Sequence, residues 1–143
     1  MTEFAQANAV FRGEVTHIRE IAHGYRVYFD VTRSWKCIST SSAEVSTGSG
    51  NSDCGYPFHV HKSYLVYAYG TPDDLNAVIC TRTTEVSQAA ADLSYLDTVQ
   101  PLFVASTSQL PWPQAVMISL IVAGIWLFLA RGWLLRRHRH SPL

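Results

Sequence analysis

The motifs by which catalytic chemistry is most easily recognised are missing from this sequence. It has no glycine-rich phosphate loop and no G-x-S-x-G elbow. The serines of Ser39–Ser52 fall in a Ser/Thr/Gly-rich stretch with no strand-turn-helix context. There is no C-x-x-C and no Cys/His quartet at zinc-ligand spacing. His59 and His61, in H-V-H, would share one face of an extended segment as a metal pair does, but no third ligand accompanies them. They read as surface histidines. Asp73 and Asp74 form a turn pair after Pro72. Tyr25, Tyr28, Tyr64, Tyr67 and Tyr69 read as packing residues. The sequence therefore predicts no enzyme, no metal and no cofactor.

Basic residues are scarce where a nucleic-acid binder would need them. No Lys or Arg lies between Arg82 and Arg131, and four of the eleven basic residues are Arg131, Arg136, Arg137 and Arg139. The part before them has seven basic against eleven acidic residues, a formal charge of −4 (7 − 11), beneath an overall charge of zero. Such a surface lacks the electrostatic footprint for nucleic acid.

What the chain does have is one long apolar run. Leu110–Ala130 carries no charge, and the basic block follows it. A membrane-spanning helix needs about 20 mostly apolar residues, and a domain this small has no core able to surround a helix apolar on every side. The arrangement predicts a transmembrane helix over 114–135, a Ser/Thr/Pro linker over 100–113 and a basic cytoplasmic tail over 136–143. Trp112 and Trp133 lie near the two ends, where amphipathic rings prefer the interface. The positive-inside rule puts the arginines in the cytoplasm and residues 1–99 outside. The expected location is the cell membrane, single-pass, with the lipid bilayer as the first partner. The opening MTEFAQANAV shows no basic n-region followed by an apolar h-region, so either the true start lies upstream of Met1, the preferred expectation, or the export signal has been removed from this version of the chain.

The outer part reads as β. Ala5–Ala9 is a short helical lead-in. Val10–Ile21 alternates imperfectly, with Gly13 marking a bulge or close backbone approach. After a turn at Ala22–Gly24, Tyr25–Trp35 alternates cleanly, with Tyr25, Val27, Phe29, Val31, Arg33 and Trp35 on one face. Glu44–Thr47, Ser63–Tyr69 and Leu75–Thr81 supply further strands. Ser87–Leu96 is a helix with Ser87 as N-cap and Ala89, Leu93 and Leu96 as its apolar stripe. Five short strands and one helix predict a mainly β fold, a five-stranded Greek-key barrel of OB type with a short C-terminal helix. A core this small is marginal without covalent staples.

Three cysteines, Cys37, Cys54 and Cys80, are an odd count for an oxidising compartment. Their residues alone allow buried structural thiols or one internal disulfide. The segments VFRGEV, VTRSWK, DCGYPF, LVYAYG, VICTRT and DLSYL, in that order, resemble the bacterial members of the tissue-inhibitor-of-metalloproteinases-like group, which has the netrin-like OB barrel. The resemblance covers about Ala9–Leu96, and its most specific pieces are Cys54-Gly55-Tyr56 and Ile79-Cys80-Thr81. It implies that Cys54 and Cys80 each form a disulfide with one cysteine of a Cys-x-Cys segment just before Phe4, a segment this sequence does not contain. It also implies a binding ridge of Cys54, Gly55, Tyr56 and Cys80. The family usually has Gly after the Trp-Lys pair, where this chain has Cys37, so Cys37 inherits no partner. In the animal inhibitors the first cysteine's amine and carbonyl chelate the protease zinc. This chain has no such residue, so inhibition does not carry over with the fold.

Function is thus expected to be protein binding: a membrane-anchored extracytoplasmic module engaging a surface or secreted protein such as a metalloprotease. The alternative is a structural or assembly component of the cell envelope with no protease target.

Overall fold

The computed structural model describes residues 2–50 and 53–106. The chain divides into two units, Met1–Ser106 and Thr107–Leu143, and the described residues belong to the first. The predicted span 114–135, the tail 136–143, Trp112 and Trp133 lie outside the described residues. Among those described, no helix is long and apolar enough to cross a membrane.

The first unit is mainly β. Its elements are α1 (Thr2–Gln6), β1 (Ala9–Ile21), β2 (Gly24–Lys36), β3 (Ser42–Thr47), β4 (Ser63–Thr71), β5 (Asp74–Asn76), β6 (Thr84–Glu85), α2 (Ala90–Leu96) and β7 (Phe103–Val104). The sheet runs β1-β2-β3-β5-β4, and β4 also pairs with β1, so five strands close into a barrel. All these pairings are antiparallel except β3 with β5, which meet in parallel at Ser46 and Asn76.

The long β1–β2 hairpin follows the predicted strands closely. Register shifts fall at Val10/Phe11, Arg12/Gly13 and Val15/His17. A Cβ on Gly13 would lie 2.8 Å from the Asp30 carbonyl oxygen, which is why glycine sits at that bulge. The bulge past Val15 moves the inward parity onto Ile18. In β2 alternation holds from Val27 to Val31, after which Ser34 and Trp35 are both buried. Trp35 does not share the core of Val27 and Phe29, as its parity predicted.

The reason is that there are two apolar clusters. Phe11, Val15, Val27, Phe29, Val45 and Val66 fill the barrel. Val10, Trp35, Leu65, Tyr67, Ala89 and Leu96 pack outside it, under α2. β4 feeds both, Tyr64, Val66 and Ala68 on one face and Leu65 and Tyr67 on the other. Burial on two faces removes the polar alternation from SYLVYAY.

Four expectations are corrected. The lead-in helix is Thr2–Gln6, not Ala5–Ala9. It is held by the Lys36 ammonium, which donates to the carbonyls of Phe4, Ala5 and Ala7. Phe4 also packs edge-on against Tyr95, with centroids 6.1 Å apart. The strand expected over Leu75–Thr81 stops at Asn76, because its partner β3 ends at Thr47 and the Ile79 N–H turns to the Cys54 carbonyl. Ser87 is no N-cap. It lies within a 3-10 turn, Val86–Gln88, and α2 starts at Ala90 without a side-chain cap. Seven residues are too few for a helix to stand alone, so the buried Ala89 and Leu96 hold α2 in place. Finally, the first residues of the expected linker add to the barrel. Phe103–Val104 pairs with Arg33–Ser34, and the Leu102 and Ala105 amides donate to the carbonyls of Ser34 and Thr32.

Candidate functional site

Two loops carry the residues singled out by the resemblance, and the barrel lays them side by side. Gly55 forms an isolated antiparallel bridge with Val78, and the Ile79 N–H donates to the Cys54 carbonyl at 2.9 Å. Cys54, Ile79 and Cys80 are exposed, Ile79 at 56% of its surface. Tyr56 is half-buried and Gly55 buried. An apolar side chain thus stands in solvent next to Cys80 in sequence and paired through its backbone with Cys54, where apolar surface is left uncovered at a cost.

The first loop is held by one carboxylate. Asp53 accepts hydrogen bonds from the Ser49 N–H at 2.7 Å, the Gly50 N–H at 2.8 Å, the Ser49 hydroxyl at 3.0 Å and the Gly55 N–H at 3.3 Å. Backbone N–H donation from Ser49 and Gly50 favours the charged form and lowers the Asp53 pKa from 3.8 to about 2. Two glycines let the loop close. A Cβ on Gly55 would lie 2.1 Å from the Gly48 carbonyl oxygen, and one on Gly48 would lie 2.4 Å from the Asp53 carboxyl carbon. The Thr47 hydroxyl accepts from the Tyr56 N–H at 2.7 Å, which fixes the loop's exit. Cys54 itself is held at a φ of 56°, a left-handed backbone that non-glycine residues seldom adopt.

The second loop is held from below. Arg82 Nε donates to both Asp92 carboxylate oxygens, at 2.8 and 2.6 Å, and Asp92 is only 4% exposed. That hydrogen bond and the Asp92 charge raise the guanidinium pKa. The Thr83 hydroxyl accepts from the Tyr67 N–H at 3.0 Å and donates back to the Tyr67 carbonyl at 3.2 Å. The Thr81 hydroxyl donates to the Val78 carbonyl at 2.7 Å, closing the turn that carries Cys80. Burial, and next the neighbouring Asp92 charge, raise the Tyr67 phenol pKa. Tyr67 Oη has no hydrogen-bond partner among the described residues.

All three thiols are free. The two open readings of the cysteine residues, buried thiols and one internal disulfide, do not describe Cys54 and Cys80. Cys37 is half-buried against the barrel core and has a φ of 71°. A left-handed backbone suits glycine better than the cysteine found here. Of the histidine pair, His61 faces Glu14 at 3.7 Å and His59 is exposed, and no group of three metal-ligating side chains exists among the described residues.

A cavity of about 330 Å³ opens beside the ridge and shares Gly55 and Tyr56 with it. Sequence reading missed this cavity, the Asp53 clamp and the Arg82–Asp92 pair. The Ser-Gly-rich approach to Asp53 was the only local signal for the clamp. Compared with known protein families and with curated proteins, the chain matches none.

Proposed function

We propose that this protein is a membrane-anchored extracytoplasmic binding module, resembling the netrin-like metalloproteinase inhibitors in its barrel, that engages another protein through the ridge of Cys54, Gly55, Tyr56, Ile79 and Cys80. The reading takes the closed five-stranded barrel as OB type, on its strand order and its capping helix. The observation that carries it is the juxtaposition of the two loops. The first is braced by its own Asp53 carboxylate and the second by the buried Asp92 of α2, and both present exposed groups outward. Braced groups lose less freedom on binding than unbraced ones. The apolar run and arginines of the C-terminal segment support the tether and its orientation. The exposed thiols at Cys54 and Cys80 are where a Cys-x-Cys segment would be joined.

Photo-crosslinking in cells tests this. A photoreactive residue at position 79 is expected to trap a discrete protein, and one at Asp30, exposed midway along β2, is expected to trap none. Equal adducts from both positions, or none from either, would contradict the reading. A version carrying an upstream Cys-x-Cys, titrated against zinc proteases, tests the animal-type mechanism separately.

A further inference from the structure

The cavity beside the ridge has a defined chemistry. Ile18, Tyr25 and Val27 line it together with Tyr56, Pro57 and Phe58. No charged side chain lines it among the described residues. Of its hydroxyls, Thr47 accepts from the Tyr56 N–H and Ser49 donates to Asp53, and the other two belong to the aromatic rings of Tyr25 and Tyr56. A guest therefore finds mostly aromatic and aliphatic surface, with no charged group beside it among the described residues. Its volume, about 330 Å³, lies at the low end for ligand pockets, which run from about 300 Å³ upward. That is room for one large side chain rather than for an extended cofactor.

A second depression adjoins the first and shares Tyr25, Thr47, Gly48 and Ser49 with it. Its lining includes Glu20 and Asp53, and no Lys or Arg among the described residues. Asp53 stays ionised while it clamps the loop, so two negative charges face this second space. Tyr25, 38% exposed, stands between the two. Opposite charge across such a rim favours association and its rate.

From this pairing we infer that the two depressions form a recognition site for an extended polypeptide segment of a partner, which places a Leu- or Phe-sized side chain in the apolar cavity and a Lys or Arg against Glu20 and Asp53. The inference rests on the ridge being a protein-binding surface, and it specifies the sequence that surface selects. The first depression shares only Gly55 and Tyr56 with the ridge that the family resemblance implies, and the second shares none of its residues.

The test uses the full chain in nanodiscs, with methyl NMR and the peptide Ac-Gly-Leu-Gly-Lys-Gly-NH2. Millimolar peptide is expected to shift the Ile18 and Val27 methyls. Replacing its Leu by Ala is expected to weaken binding about 10-fold or more, since several buried methyl and methylene groups are lost. Replacing its Lys by Glu is expected to weaken it several-fold. Tyr25→Ala is expected to weaken binding of the Leu peptide, and Glu20→Gln to reduce the preference for Lys over Glu. Shifts at Ile79 without shifts at Ile18 and Val27 would overturn this inference and leave the ridge reading standing. No shift at any of the three would count against both. Decanoate displacing the peptide, with no discrimination between the Leu and Ala peptides, would assign the cavity to an acyl chain and overturn the inference.

Discussion

Gly55→Ala examines the ridge at its tightest point. The new Cβ would lie 2.1 Å from the Gly48 carbonyl oxygen, and ordinary contact begins at 3.4 Å, so the two loop segments would have to part by about 1.3 Å (3.4 − 2.1). Neither segment is free to give. Gly48 abuts the Asp53 carboxylate on its other side, and Gly55 is tied to Val78. Forced overpacking of this kind costs about 1–3 kcal/mol, and the upper part of that range applies because both sides are backbone. With a urea m-value of about 1.5 kcal/mol/M for a domain of this size, the unfolding midpoint is expected to fall by about 1.5–2 M. Urea unfolding of the full chain in mild detergent, followed by tryptophan fluorescence from the buried Trp35, reads this directly. A parallel measurement of thiol reaction rates at Cys54 is expected to show faster labelling as the loop opens. A midpoint within about 0.3 M of the parent, with unchanged thiol reactivity, would refute the close-packed loop.

Three further expectations follow from the same geometry. Asp92→Asn removes the negative charge and one of the two acceptor oxygens of a charge-assisted bond. Because the Arg82 side chain is 42% exposed and can return to water, the expected loss is about 1–3 kcal/mol, below that of a fully buried pair, as measured by denaturant titration. The Asp53 pKa is lowered from 3.8 to about 2, so its stabilisation is complete above about pH 4 and is lost as pH falls toward 2. Asp53→Asn is therefore expected to flatten the acid limb of the stability curve between those values, and an unchanged limb would remove the clamp from the account. At the left-handed Cys37, Cys37→Gly is expected to be more stable than Cys37→Ala by about 1 kcal/mol, because only glycine relieves the backbone strain. An Ala variant at least as stable as the Gly variant would contradict that.

Much of the barrel was legible because burial on one face writes alternation into sequence. Val27, Phe29 and Val31 show it, and Gly13 marks its bulge. β4 was legible for the opposite reason, since burial on both faces makes an unbroken apolar run. What escaped were features set by distant partners. The end of β5 depends on a single parallel bridge to Ser46, thirty residues earlier (76 − 46). The strand Phe103–Val104 exists because β2 offers it an edge, not because its two residues demand it. The start of α2 is governed by packing under the barrel and overrides Ser87. For the ridge, Cys54 and Cys80 were singled out by resemblance. Their adjacency, 26 residues apart in sequence (80 − 54), is created by the Gly55–Val78 bridge. The Asp53 clamp requires a closed loop before its donors converge, so no local pattern could fix it.

Topology is the most direct test of the whole account. In intact cells, a membrane-impermeant maleimide applied after impermeant reductant is expected to label Cys54 and Cys80 without lysis. In a Leu143→Cys variant in which the three native cysteines are replaced by serine, the terminal cysteine is expected to label only after permeabilisation. Labelling of the terminal cysteine from outside, with Cys54 and Cys80 protected until the cells are opened, would contradict a tethered module facing outward.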